Sequence, residues 1–212
     1  RHQAREMRHV VDRTAQNYLL AVLHDMAAGI WDAQARTIAV PEGPTSMFLS
    51  QHFAVEAILE KFGDDLHPGD VIITNDPFKG HCNHLPDWGF IRPVFYEDEL
   101  VFVLLTRGHQ LDTGGSFPGG YFANGYDIHA EGLIIPPIKI YDRGVERTDV
   151  LELIWNNVRF PEGVKIDNYA LMAGLTVGEK RIHSLLDKYG KQVVLDCVEE
   201  MLDPMERNVV LE

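Results

Sequence analysis

The sequence predicts an α+β fold: a mainly antiparallel sheet with flanking helices and a helical C-terminal third. Three observations carry this reading. Apolar residues recur at three- and four-residue steps near the start and again through the last third. Short apolar runs bounded by Gly, Pro and acidic turns fill the middle, and two of them flank Glu97-Asp98-Glu99 as a hairpin would. No internal repeat relates one segment to another.

Ala4 to His24 is predicted as one helix, with Met7, Val11, Ala15 and Leu19 among its apolar positions. Strands at Ala27 to Trp31 and Thr37 to Val40 follow, joined by the turn Asp32-Ala33-Gln34-Ala35-Arg36. Pro41-Glu42-Gly43-Pro44 breaks the chain before a helix from Ser46 to Phe62. Pro68-Gly69-Asp70 turns into a fully apolar strand, Val71 to Ile73. The hairpin strands run from Gly89 to Tyr96 and from Leu100 to Thr106. A strand from Gly132 to Ile140 ends at Tyr141-Asp142-Arg143-Gly144, and helices follow at Thr148 to Asn156, Ile166 to Tyr189 and Gln192 to Asn208. Residues 1–145 are read as a mixed α/β region that carries the chemistry, and 146–212 as a helical region. The apolar stripes of that region, with Leu185, Leu186, Val193, Val194, Cys197, Val198, Met201 and Leu202, suit an internal core first and an assembly surface second.

At 212 residues the chain can bury a sizeable core as one large domain or two small ones. Its 45% hydrophobic and 24% charged residues are ordinary globular usage, which excludes disorder as the main account. The 32 acidic residues against 19 basic ones leave a net charge of −13, which repels a phosphate backbone and argues against general nucleic-acid binding. No apolar run approaches the ~20 residues of a membrane-spanning helix, so no membrane partner is expected. Two cysteines are too few for a disulfide framework and suit a reducing cytoplasm. The chain opens on Arg1-His2-Gln3 inside a predicted helix, with no initiator Met, and is read as a piece of something longer.

Chemistry concentrates in two polar stretches, 75–87 and 107–120. His81-Cys82-Asn83-His84-Leu85-Pro86-Asp87 holds two imidazoles, a thiol and a carboxylate. His84 and Asp87 are three apart, with Pro86 stiffening the link, so both can reach one divalent ion. His109 lies just past the second hairpin strand, and a hairpin brings the residue before its first strand beside the residue after its second. His84, Asp87 and His109 are therefore expected to meet as a two-His, one-carboxylate set with open positions. Asp112 is expected to orient His109 by accepting its second ring N–H. A hydrogen-bonded loop cluster without metal fits the same spacing equally. Cys82 is a soft-ligand candidate that reads more readily as a small buried residue. Gly114-Gly115 and Gly119-Gly120 suggest an anion-binding loop of backbone N–H groups but match no nucleotide fingerprint. Glu131, near His129, is a candidate acid or base, and equally a surface carboxylate.

Several segments together resemble the hydantoinase B/oxoprolinase family: Thr74-Asn75-Asp76-Pro77, His84-Leu85-Pro86-Asp87, Arg107-Gly108-His109, Asp112-x-Gly114-Gly115 and Glu131-Gly132-Leu133-Ile134-Ile135-Pro136-Pro137. Leu66-His67-Pro68-Gly69-Asp70, Asn157-Val158-Arg159 and Asp187-Lys188-Tyr189-Gly190 extend the match in order over most of the chain. Members include B-type subunits of ATP-dependent hydantoinases, part of 5-oxoprolinase, a caprolactamase subunit and metal-bearing subunits of acetone and acetophenone carboxylases. The family's B-type subunits are much longer, so the match is to their N-terminal portion, and the family's usual start before the first long helix is largely missing.

The resemblance implies a metal held by His84, Asp87 and His109, with Zn, Mn or Fe all suited to such ligands. Asp112 and Glu131 are expected to have catalytic roles, and Asn75, Asp76, Gly114 and Gly115 to contact substrate. The resemblance also implies a hydantoinase A-like subunit that uses ATP to phosphorylate the small-molecule substrate, and the remaining part of the B-type subunit as a further partner. The expected activity is ATP-dependent cyclic amide hydrolysis. Ketone carboxylation at the same metal and a non-catalytic assembly module are the alternatives.

Overall fold

A computed structural model describes residues 1–209. The strands are β1 (Met26–Asp32), β2 (Thr37–Ala39), β3 (Val71–Thr74), β4 (Asp87–Tyr96), β5 (Glu99–His109), β6 (Ile138–Asp142) and β7 (Val145–Glu146). They form one seven-stranded sheet in the order β2-β1-β5-β4-β3-β6-β7, with every pairing antiparallel. The helices are α1 (His2–Thr14), α2 (Tyr18–Ala21), α3 (Thr45–Phe62), α4 (Thr148–Trp155), α5 (Pro161–Tyr189) and α6 (Lys191–Val209). This is the α+β architecture expected. Among the described residues no helix is long and apolar enough to cross a membrane.

The period-2 alternation of a strand divides the core between the two faces of the sheet. Phe102 and Leu104 of β5 join Met7 and Val11 of α1 and Leu171 and Leu175 of α5 on one face. Val103 and Leu105 join Val55 and Ile58 of α3 on the other. Both faces are covered, so the central strands are buried along most of their length. Each fully buried aliphatic side chain contributes about 1.5–3 kcal/mol through removal of apolar surface from water. Leu186, Val198 and Leu202 of the C-terminal helices belong to the same buried cluster, whereas Val193 and Met201 are exposed.

The β4–β5 hairpin closes through Glu97 and Asp98, which both take positive φ, 51° and 63°. Two such residues make a turn whose twist matches the flanking strands. Tyr96 pairs with Glu99 and Phe95 with Leu100, but Val94 pairs with Phe102, so Val101 is an extra residue in β5. Beyond that bulge the ladder runs on to its last rung, Asp87 opposite His109.

Two expectations are corrected. The first helix ends at Thr14, because Ala15 is extended at φ −65° and ψ 147°. Asp167 of α5 fixes the break by accepting from Gln16 N (2.7 Å), Asn17 N (3.3 Å) and Asn17 Nδ2 (2.7 Å), and Asn17 then caps α2. The strand expected from Gly132 begins only at Ile138. Pro136 and Pro137 have no N–H to give to a ladder, and the segment before them is held by the Asn75 side chain instead.

Candidate metal centre

The rung Asp87–His109 continues into a third strand. Met26 of β1 pairs with Gly108, and the His109 N–H donates to the Asp25 carbonyl at 3.1 Å. Asp25, His109 and Asp87 therefore lie side by side at one end of the sheet. His84 joins them from the loop before β4, where its carbonyl accepts from Asp87 N at 3.3 Å.

His84 Nε2 lies 2.9 Å from Asp87 Oδ1, and His109 Nδ1 lies 3.2 Å from the same oxygen. The ligand atoms offered by His84, Asp87 and His109 all lie within 4.8 Å of one another. His109 Nε2 sits 3.0 Å from the Gly119 carbonyl. A carbonyl oxygen only accepts, so Nε2 carries the N–H, and in the neutral ring the Nδ1 lone pair faces Asp87. Asp87 Oδ1 and His109 Nδ1 are both buried, and neither has a partner in hydrogen-bonding geometry among the described residues. Two electron-rich atoms facing each other across a buried gap call for a cation between them, so the donor set fits a divalent metal. Asp87 Oδ2 is held by Asn83 Nδ2 at 2.5 Å, which fixes the plane of the carboxylate.

Burial alone would raise the Asp87 carboxyl, but the His109 and His84 imidazoles hold it at about 2. Burial opposes charge on His109, yet Asp87 and the Gly119 carbonyl lift its pKa above the ordinary histidine value. Asp25 is pushed up, first by burial and then by the Asp87 charge, while His109 and His84 pull the other way.

The structure places the other expected residues as follows. Asp112 does not touch the His109 ring. It is fully buried and accepts from Gly114 N at 3.1 Å, from Arg159 N, and from Arg159 Nη1 at 2.8 Å. The Gly119 carbonyl takes the role expected of Asp112, because the loop after β5 folds back over the imidazole. The Gly114 N–H is thus already engaged, and Gly114 needs its positive φ of 78°: a Cβ there would lie 2.1 Å from the Asn157 carbonyl. Gly115 packs on the backbone of Ala130 and Glu131, where a Cβ would come within 2.4 Å. The pair is a site of close backbone approach, not an open nest of N–H groups.

Asn75 uses its carboxamide on the Leu85 and Leu133 carbonyls, each at 2.8 Å, and on the Ile135 N–H at 2.7 Å. Asp76 accepts from Phe78 N at 2.8 Å and Lys79 N at 3.1 Å, closing a local turn. Cys82 is buried, and burial pushes its thiol pKa up. Glu131 does reach the centre's surroundings: with His84, Gly120, Tyr121, Phe122 and Ala123 it lines a cleft of ≈ 390 Å³.

Sequence reasoning missed Asp25 and Tyr121. Asp25 Oδ2 is 3.6 Å from His109 Nδ1. In the sequence it reads with His24 as part of a helix end, and only the β1–β5 register reveals its place. The Tyr121 ring stacks on His109 at 5.2 Å and 12°, and lies 6.3 Å from His84. No spacing signal points to it.

A family model for hydantoinase B/oxoprolinase matches residues 1–211. The chain belongs to this family. Within the family, the β subunit of caprolactamase from Pseudomonas jessenii is 34% identical over 206 residues, covering 97% of this chain and 35% of the relative. The B-type subunit of a D-/L-hydantoinase from a Pseudomonas strain is 32% identical over 210 residues, again with 35% of the relative covered. This member of the hydantoinase B/oxoprolinase family thus spans about a third of the length of the curated relatives it matches. The crystal structure of ATP-dependent caprolactamase from Pseudomonas jessenii superimposes with a TM-score of 0.88 at 33% identity, over 98% of this chain and 36% of that one. Nucleotide-free acetone carboxylase shares the fold, with a TM-score of 0.85 at 19% identity.

Proposed function

We propose that this chain carries the metal-dependent catalytic centre of an ATP-dependent cyclic amide hydrolase of hydantoinase/oxoprolinase type. The substrate would arrive phosphorylated by an A-type, ATP-binding partner subunit. The observation that carries the reading is that the ligand atoms of His84, Asp87 and His109 lie within 4.8 Å of one another, with the buried Asp87 Oδ1 and His109 Nδ1 unpartnered among the described residues. Membership of the family, and 34% identity to a caprolactamase β subunit along nearly the whole chain, support the reaction class.

His84, Asp87 and His109 would hold a divalent cation such as Zn or Mn, with the Asp25 carboxylate 3.6 Å from His109 Nδ1 adding negative charge nearby. Such an ion supplies Lewis acidity toward a reacting oxygen and lowers the pKa of water. The chain's own groups then do the rest. The Gly119 carbonyl keeps His109 in the tautomer that presents Nδ1. Asp87 contributes charge, because its carboxyl stays ionised throughout the neutral range. Glu131, which lines the same cleft as His84, would pass a proton to the ring nitrogen as the amide C–N bond breaks.

The test uses the full-length protein co-purified with its A-type partner, supplied with ATP and a lactam or hydantoin. The expected outcome is ring opening coupled to ATP use, lost together with bound metal in His84→Ala and His109→Ala. Turnover and stoichiometric metal at wild-type levels in both variants would overturn the reading. A ketone carboxylated in the same assay, with no ring opening, would move the chain to the carboxylase branch, which includes an acetophenone carboxylase delta subunit 30% identical over 156 residues.

A further inference from the structure

Arg107 sits two residues before His109 on β5 and is fully buried. Among the described residues no carboxylate pairs with its guanidinium. Nη1 donates to Ser50 Oγ of α3 at 2.5 Å, Nη2 donates to Cys82 Sγ at 3.3 Å, and Nε has no partner. Cys82, in turn, lies two residues before His84 and is oriented by the Thr74 carbonyl at 3.6 Å. The strand opposite makes room: Gly89 pairs with Arg107, and a Cβ at Gly89 would lie 3.4 Å from Nε.

A cation buried without a counter-charge is costly, by several kcal/mol per ion, and an unbranched apolar side chain would fill the same space without that penalty. What the guanidinium adds is a rigid planar fork that an aliphatic chain or a lysine lacks. One tooth grips α3. The other grips the loop at a point two residues from one imidazole, while the stem is anchored two residues from the other.

We infer that Arg107 and Cys82 are positioning residues of the metal centre: their contact sets the separation of His84 from His109. This rests on the metal reading above. The clasp joins a strand, which is rigid through its ladder, to a loop, which has no ladder. Without it the backbone of His84 keeps its bond to Asp87 N, but the loop on its N-terminal side loses its tie to β5. The fold survives the loss, since Asn75 still holds Leu85 and Gln110 N still donates to the Pro86 carbonyl at 2.8 Å.

The experiment measures Zn2+ affinity of the full-length protein by competition with a chromophoric chelator, and the visible spectrum of its Co2+ form. The variants are Cys82→Val, Cys82→Ser and Arg107→Lys, each with its thermal midpoint recorded. Cys82→Val is expected to weaken Zn2+ binding by about 10–100-fold, the usual effect of losing an outer-sphere support, and to alter the Co2+ spectrum. Cys82→Ser, which keeps an acceptor for Nη2, is expected to stay within a few-fold of wild type. Arg107→Lys keeps the charge but not the fork, and should resemble Cys82→Val. If Cys82→Val binds Zn2+ as tightly as wild type, with an unchanged Co2+ spectrum, the clasp is overturned while the metal reading stands. If wild type itself binds neither ion, the metal reading falls and the clasp falls with it. A lowered midpoint with unaltered Zn2+ affinity would assign the pair to stability alone and overturn the inference.

Discussion

Asp87 and His109 are direct partners on the last rung of the β4–β5 hairpin, with carboxylate oxygen and ring nitrogen 3.2 Å apart. Neither is placed by a flexible loop. The sheet holds both, and His84 alone of the three comes from outside the ladder.

Because Asp87 supplies the centre's buried charge, Asp87→Asn should cut Zn2+ affinity by at least about 100-fold, beyond the range for outer-sphere changes. The amide keeps the shape of the side chain, so circular dichroism should match wild type. Metal content after dialysis and chelator competition check the outcome.

Asp112 is expected to behave in the opposite way. It ties Gly114 N to the backbone and guanidinium of Arg159 and does not contact His109. Asp112→Asn should lower unfolding free energy by about 1–3 kcal/mol, the usual loss when a buried acceptor network is weakened, and leave Zn2+ affinity within a few-fold. Chemical denaturation and metal titration, run on the same preparation, separate the two effects.

Metal binding should stabilise the fold by mass action. At a free Zn2+ concentration 100 times the dissociation constant the gain is about 2.7 kcal/mol, or a rise of about 5–10 °C in thermal midpoint for a chain of this size. EDTA should reverse it. His84→Ala and His109→Ala should show no such rise.

An alkaline limb is expected far from the metal centre. Burial, and then the bond its hydroxyl donates to Glu146, push the Tyr141 phenol above its ordinary value. The folded state therefore keeps a proton that the unfolded chain releases, and this contribution is complete below about pH 10 and lost as pH rises beyond it. Tyr141→Phe should be less stable than wild type at neutral pH, and the gap should narrow above about pH 10. Thermal midpoints across that range check it.

The sequence disclosed the hairpin because Glu97-Asp98-Glu99 separates two apolar runs, and it disclosed His84, Asp87 and His109 because a hairpin joins its two ends. Asp25 stayed hidden because its role depends on how β1 registers against β5, a pairing between strands some eighty residues apart in the chain. Gly119 and Tyr121 act through the return path of a loop, which composition does not encode. Asp112 departs from expectation for a related reason: closeness in sequence to His109 suggests contact, whereas the turn aims its carboxylate at Arg159. The break after Thr14 is dictated by Asp167, far away in α5, so helical periodicity alone runs straight through it.

The bulge at Val101 makes the centre a matter of reading frame. Insert one residue in β5 anywhere between the bulge and the rung, and Gly108 comes to face Asp87 while the His109 side chain swings through to the other surface of the sheet. Residues added at the tip, between Tyr96 and Glu99, leave the pairing untouched. Length variation among natural versions of this hairpin should therefore accumulate at its tip and be purged from its arms.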